Sequence, residues 1–449
     1  MTEKENAKGL TEKLAEFIVR TDDVFIPEET RENAKIAFLD WLGCALVGVD
    51  SPVVERLIRY ADVTGGKEQA TILGKSMKKS VLQAALINGA ASHVMDFDDT
   101  TTVDIRHASV GMVSALLALS EWRNMTGKEL LMAYIIGFKL AMVMGTLAGR
   151  KQYDGGWHTT STIGRFASAA GCARLLGLNE QETVFALGLA GTMSSGMKIV
   201  FGTMTKAFHA GNAARDGMKA ALLGEVGMTC SPDFLEGPDG YLQVFSGTID
   251  EDVLSSLGVA WDFDKLAQKY HASCHFTHSA IEATLKLVAQ EGLGPEDIES
   301  IVVHASRLGF NAAGKTSPKT ALEGKFSIPY CVANAILRGD TGLKAFSDEK
   351  VIEPIVTDYM KKIDLVCDSN FTAMEARVDI TTIQGKRVSD FRDVYTEIPS
   401  LAEKKERITK KFMNICDMIM EERKARAILD SVLNIENVKV GTIIQQICV

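Results

Sequence analysis

No two of the eight cysteines in this 449-residue chain are spaced as a CxxC pair; they stand at 44, 172, 230, 274, 331, 367, 416 and 448. That scatter argues against a disulfide framework and against the clustered thiolates that an iron–sulfur centre uses. Positive charge is also short. Lys and Arg number 49 against 58 Asp and Glu, for a net charge of −9, so the basic footprint of a nucleic-acid binder is missing. The segment Met1–Asn6 is polar and has none of the apolar core of a signal peptide. The most lipid-like stretch, residues 133–149, is interrupted by Lys139 and falls short of the about 20 apolar residues of a membrane span. The expectation is a chain with no nucleic-acid partner and no membrane span, its thiols reduced in the cytosol. Internal repeats and low-complexity segments are absent as well. An anionic small substrate stays open, because net charge and pocket charge are different quantities.

The hydrophobic content of 46% is that of a well-cored globular protein. The length exceeds the roughly 250–300 residues at which single cores stop growing, so about two domains are expected. From about residue 9 to 230 the pattern is helical. Leu131, Tyr134, Ile135, Phe138 and Met142 follow one helix face, Thr126 with Glu129 reads as a capping box, and Asn179 with Glu182 as another. Small residues recur where helices would meet, as in residues 167–171 and 187–191. Near residue 267 the texture changes. Residues 301–304, 363–366 and 376–381 read as strands, the last followed by a turn at 384–386, with helices at 278–291 and 328–338 between them. From about Leu401 the chain is helix-periodic again. The fold class is therefore mainly α: a large all-helical domain, residues 1–266 plus 396–449, with an inserted smaller α+β domain at 267–395.

Four clusters carry candidate chemistry. Asp96-Phe97-Asp98-Asp99-Thr100 puts three carboxylates at the end of an apolar helix, able to bind a hard cation, orient a base, or cap a turn. His107, just beyond, precedes a helix start whose dipole favours a neutral, base-competent imidazole. Gly155-Gly156-Trp157-His158-Thr159-Thr160 delivers a second histidine to helix N-terminal amides. Lys206 and His209 lie in a segment of small residues, where a crowded lysine shifts its pKa or finds an anion. Lys269 to His278 packs three histidines and Cys274 into a short run, but the spacing matches no structural zinc pattern.

In series these blocks resemble the MmgE/PrpD family, together with Phe326-Ser327-Ile328-Pro329-Tyr330-Cys331-Val332-Ala333, and they span most of residues 10–395. The family includes 2-methylcitrate dehydratases, cis-aconitate decarboxylases and iminodisuccinate epimerases. The resemblance implies a homodimer that works without metal or organic cofactor, the α+β insert serving as a lid and the active site lying between it and the helical domain. The positions that match are Asp96, Thr100, His107, His158, Lys206, Lys269 and Tyr330, with Cys274 where some decarboxylases carry a histidine. His209 falls on no matched role and reads as structural.

All these reactions move a proton at a carbon beside a carboxylate and need fixed positive charge for the enediolate-like anion that develops. His107 and His158 are the candidates for proton transfer. Lys206 and Lys269 are candidate carboxylate clamps, Lys206 also a proton donor, and Tyr330 a hydrogen-bonding or relay group. Asp96 and Thr100 belong to the substrate wall. Three departures matter: the histidine that many members carry soon after the Asp96–Thr100 block is missing, Arg106 precedes the retained histidine, and alanine follows it in place of proline. Turned inward, Arg106 adds a bidentate carboxylate grip; turned outward, it is a surface charge. Cys274 weakens the decarboxylase reading. The expected activity is a lyase on a small di- or tricarboxylate, a hydro-lyase first, with a decarboxylase, an isomerase or epimerase of a substituted succinate, and a non-catalytic binding protein as alternatives.

Overall fold

The computed structural model describes residues 8–245 and 247–448; the polar segment Met1–Asn6 lies outside them. The chain divides into two compact units, one of Met1–Gln268 with Leu401–Val449, the other of Lys269–Ser400.

The first unit is a helical assembly, and its helices start where their caps put them. Thr126 accepts from the backbone N–H of Glu129 while the Glu129 side chain takes the N–H of Thr126, opening Gly127–Met144; Asn179 and Glu182 do the same for Glu180–Thr192. The apolar run over 133–149 proves to be core. The helical stretch Gly127–Asp154 has the length and apolarity of a membrane span, but 94% of its most apolar window is buried within the protein. It is apolar on every side, so the one-face periodicity of Leu131 to Met142 marked only part of its buried surface. Near its end Gly145–Gly149 loosens into a π-helical turn.

Four helices converge beneath the residues of interest: Val81–His93, Ser109–Arg123, Thr159–Leu176 and Met204–Glu225, the last packing on the other three. Their closest approach is a glycine contact. A Cβ built on Gly211 would lie 2.2 Å from the Leu86 carbonyl oxygen, and one on Gly89 would lie 2.8 Å from the Gly211 Cα. Only glycines let these two backbones touch. Gly89 is one turn before His93, and Gly211 little more than one turn after Lys206, so the contact fixes the spacing of both side chains.

The helix Leu401–Cys416, first of the C-terminal segment, packs against Glu28–Gly48 within the same unit. From it Lys411 reaches a buried Asp40 at 2.5 Å, donates to the Phe97 carbonyl at 2.6 Å and lies 3.7 Å over the Phe97 ring. The tail thus braces the Asp96–Thr100 segment from below.

The second unit is built on a four-stranded sheet in the order Ile363–Asp368, Ile298–Ser306, Glu375–Thr382, Arg387–Asp393, the first pair parallel and the others antiparallel. The strand Arg387–Asp393 was not foreseen; its alternate residues are exposed or half-buried, which gives an edge strand a weak sequence signal. Ala376, Val378, Ile380 and Thr382 alternate inward and are covered by the helix His278–Glu291, which also packs on Ile328–Arg338.

Candidate active site

Three carboxylates within four residues take three different partners. After Val81–His93 ends, Asp96 adopts a left-handed conformation with φ 53°, which an aspartate tolerates, and the chain doubles back. Asp96 accepts from Lys206 Nζ at 2.7 Å. Asp98 is buried between two imidazoles, with His93 Nδ1 2.9 Å and His107 Nδ1 2.7 Å from its Oδ2; the latter contact is short but bent. Asp99 caps Ser109–Arg123, accepting from the N–H groups of Ala108 and Ser109 at 3.1 Å each and from the Ser109 hydroxyl. Asp96 thus faces an ammonium, Asp98 two imidazoles and Asp99 a helix start.

The four helices bring four histidines together. His93 and His107 meet edge to face with ring centroids 4.3 Å apart, and His93 stacks toward His158 at 6.2 Å. His158 stands at the N-cap of Thr159–Leu176, and its Nδ1 is 3.1 Å from Nδ1 of His209. Phe201 closes one side, its ring 4.8 Å from that of His158 and 5.7 Å beneath Lys206 Nζ. The floor is sealed, with Asp98 and His158 side chains almost wholly buried, while those of Asp96 and Lys206 are 17% and 21% exposed. The Asp96–Lys206 pair is therefore the accessible wall.

Burial dominates the protonation of this cluster. It lowers His107 to about 4 against the pull of Asp98, with His93 and Lys206 adding to the lowering. His158 is held well below the ordinary histidine value by burial and then by His93, Lys206, His107 and His209; burial also lowers His209 to about 4. Burial works against charge on Asp98 too, but its two histidine partners outweigh it and keep the carboxylate ionised. The result is neutral His107, His158 and His209 beside the Lys206 ammonium and the Asp98 carboxylate, a composition suited to taking a proton near a bound anion.

Arg106 turns inward, but not as a grip for substrate. It is buried with its NH1 group on Asp104 at 2.5 Å and on the Ala141 carbonyl at 3.1 Å. The π-helical turn makes room for this pair: a Cβ on Gly149 would lie 2.5 Å from Asp104 Cβ. The pair flanks Ile105, whose φ of 55° is a strained state for a β-branched residue. Thr159 donates to the Asp104 carbonyl at 2.9 Å, and the His107 N–H donates to Thr160 at 3.0 Å, so the loop enters His107 under several constraints. Thr100 is buried in a short antiparallel pair with Ala267.

The remaining expected residues belong to the second unit. Lys269 and Cys274 are buried there. The Tyr330 hydroxyl donates to the Ala345 carbonyl at 2.5 Å, and burial raises it to about 12, so its proton is engaged in a structural bond. His271 pairs with Glu282 at 3.0 Å and Thr341 at 2.6 Å, and His278 is buried against His271 and His275. Among the described residues, donor atoms close enough to hold a metal gather instead at His93, Asp96, Asp98 and His107, within 4.8 Å of one another. A cation there has to compete with the Lys206 ammonium for Asp96.

His93 was missed, and His209, read as structural, lies against His158. His93 ends a run of small and apolar residues and carried no motif. His209 had a signal: three residues after Lys206 on one helix, it lies on the same face.

The MmgE/PrpD N-terminal domain matches residues 12–252 and the MmgE/PrpD C-terminal domain matches residues 271–437. The chain belongs to the MmgE/PrpD family and is an enzyme of its lyase class. It is similar to a cis-aconitate decarboxylase of Aspergillus terreus, 26% identical over 96% of this chain and 94% of that protein. A cis-aconitate decarboxylase of Mus musculus is 25% identical over 86% and 83%. A mitochondrial 2-methylcitrate dehydratase of Yarrowia lipolytica is 22% identical over 82% and 75%.

Proposed function

We propose that the chain is a cofactor-independent hydro-lyase acting on a small di- or tricarboxylate of the citrate, 2-methylcitrate or aconitate type. One observation carries it: a neutral His107 whose Nδ1 is taken by Asp98 and whose Nε2 lies on the side of the Asp96–Lys206 pair. An imidazole so held is a base before substrate arrives. His107 Nε2 takes the proton on the carbon beside a substrate carboxylate, and the electron pair left behind spreads into that carboxylate. The Lys206 ammonium stabilises this second negative charge. The bond to the neighbouring hydroxyl then breaks, the hydroxide leaves as water with a proton from Lys206, and the His107 imidazolium returns its proton to the amine. His158, in the floor of the site, is proposed as the second proton-transfer group. Lys269 and Cys274 are proposed to contact its carboxylates, and the enzyme is proposed to be a cytosolic homodimer of the 48.8 kDa chain, which light scattering checks.

A second reading is decarboxylation, favoured by the alignment of cis-aconitate decarboxylases over 96% of the chain. There carbon dioxide leaves first and the Lys206 ammonium protonates the resulting carbanion. Incubating citrate, 2-methylcitrate, cis-aconitate and substituted succinates with the enzyme in deuterated buffer separates these outcomes by NMR. Loss of water supports the hydro-lyase, and loss of carbon dioxide the decarboxylase. Deuterium entering an otherwise unchanged substrate identifies an epimerase, and inertness toward the whole panel removes the proposal. Full activity in EDTA is the expected result.

A further inference from the structure

The role proposed for His107 requires one particular tautomer, and the structure has a carboxylate where that choice is made. Asp98, 1% exposed, lies between two rings: His93 Nδ1 is 2.9 Å from Oδ2 and 3.1 Å from Oδ1, and His107 Nδ1 is 2.7 Å from Oδ2. An ionised carboxylate only accepts. A lone pair turned toward a carboxylate oxygen at these distances is repelled, so the proton belongs on each Nδ1: as a hydrogen bond for His93, and as a close charge contact, too bent for a hydrogen bond, for His107. His107, held neutral by burial, has one such proton, and its Nε2 is therefore a lone pair. His107 Nε2 faces Asp96 at 3.7 Å, beyond a hydrogen bond, and His93 Nε2 is buried without a partner.

We infer that Asp98 is the positioning residue of this site, gathering the Nδ1–H groups of His93 and His107 on one buried carboxylate and so fixing His107 as the tautomer whose Nε2 is a base. This rests on the proton-transfer role proposed above for His107. Asp96 does not share the task. It stands on the Nε2 side, pairs with Lys206 and is the more exposed of the two. His93 is the second anchor: by engaging both oxygens it keeps the carboxylate from turning away from His107.

The test begins without a mutation. In protein labelled with 15N-histidine, two-bond nitrogen–proton correlations report the tautomer of each ring, with His93 and His107 assigned through H93Q and H107Q. The expected result is Nδ1–H for both rings. An Nε2–H tautomer at His107 overturns the inference whether or not a substrate has been found, which separates this failure from failure of the proposed activity. Because both Nδ1 atoms lie on the same oxygen, an amide carbonyl could serve both rings, so the variant used is D98A, in which neither ring keeps an acceptor. His107 is then expected to shift toward Nε2–H, with kcat falling about a hundredfold or more and KM staying within about threefold, as for other positioning carboxylates. Unchanged kcat, or a loss confined to KM, overturns it. H93Q, which keeps a donor toward Asp98, is expected to retain the His107 tautomer. Loss of that tautomer in H93Q would instead make His93 the determinant.

Discussion

Lys206 and Asp96 hold each other at 2.7 Å on the accessible wall, so the ammonium is already placed before any substrate carboxylate arrives. Preorganised charge of this kind costs little on binding and is worth most when new negative charge develops beside it. Lys206→Ala is expected to lower kcat/KM at least a hundredfold. The fold should survive, since a partly exposed ion pair contributes about 1 kcal/mol or less. A purified variant with near-wild-type turnover and an intact circular dichroism spectrum would take Lys206 out of the mechanism. The crowding read around this lysine in the sequence is real, but it belongs to the helix–helix contact one turn further on. The anion found here is Asp96.

Among the helices, the decisive contact is that of Gly211 with the Leu86 carbonyl. Gly211→Ala puts a methyl group 2.2 Å from a backbone oxygen that cannot swing aside. Overpacking of this kind costs about 1–3 kcal/mol or more, and the separated helices would carry Lys206 away from Asp96. Lower thermal stability together with lower turnover is the expected pair of results; an alanine variant that melts with the wild type would show that the helices do not meet this closely. The helix Leu401–Cys416 makes a second element-scale prediction. Lys411→Met leaves Asp40 buried and uncompensated, at a cost of about 3–5 kcal/mol, whereas Asp40→Leu with Lys411→Met loses less. Denaturant melts of the single and double variants decide it, and equal losses in the two would argue against the pair.

At the scale of the whole molecule, acid should be its weakness. His107 and His209 are lowered to about 4, and His158 and His278 well below the ordinary 6.5. Between those values the unfolded chain binds protons that the folded chain refuses. Stability is therefore fully present above about pH 6.5 and is lost as pH falls toward 4, at up to about 1.4 kcal/mol per pH unit for each histidine. Asp99, raised to about 7 by burial, and Asp104, raised likewise, act in the opposite sense. The four histidines outnumber them, so the melting temperature should drop between pH 7 and pH 5. A constant or rising value would mean that these imidazoles are not buried neutral.

Much was written locally. Capping boxes at Thr126 and Asn179, the helices at 278–291 and 328–338, and the inward alternation of Ala376, Val378 and Ile380 depend on neighbours within a few residues, and the sequence displays those directly. The residue types and order of the Asp96, His107, His158 and Lys206 blocks were equally plain. The pairings were not. That Asp96 takes Lys206, that Asp98 is shared by His93 and His107, and that His209 reaches His158 depend on segments distant in sequence meeting at small residues, while Arg106 is spent on its near neighbour Asp104 because Gly145 and Gly149 leave room to bury the two. Which partner each charge finds is set by burial and by the approach of those backbones, and only the folded chain brings the two together.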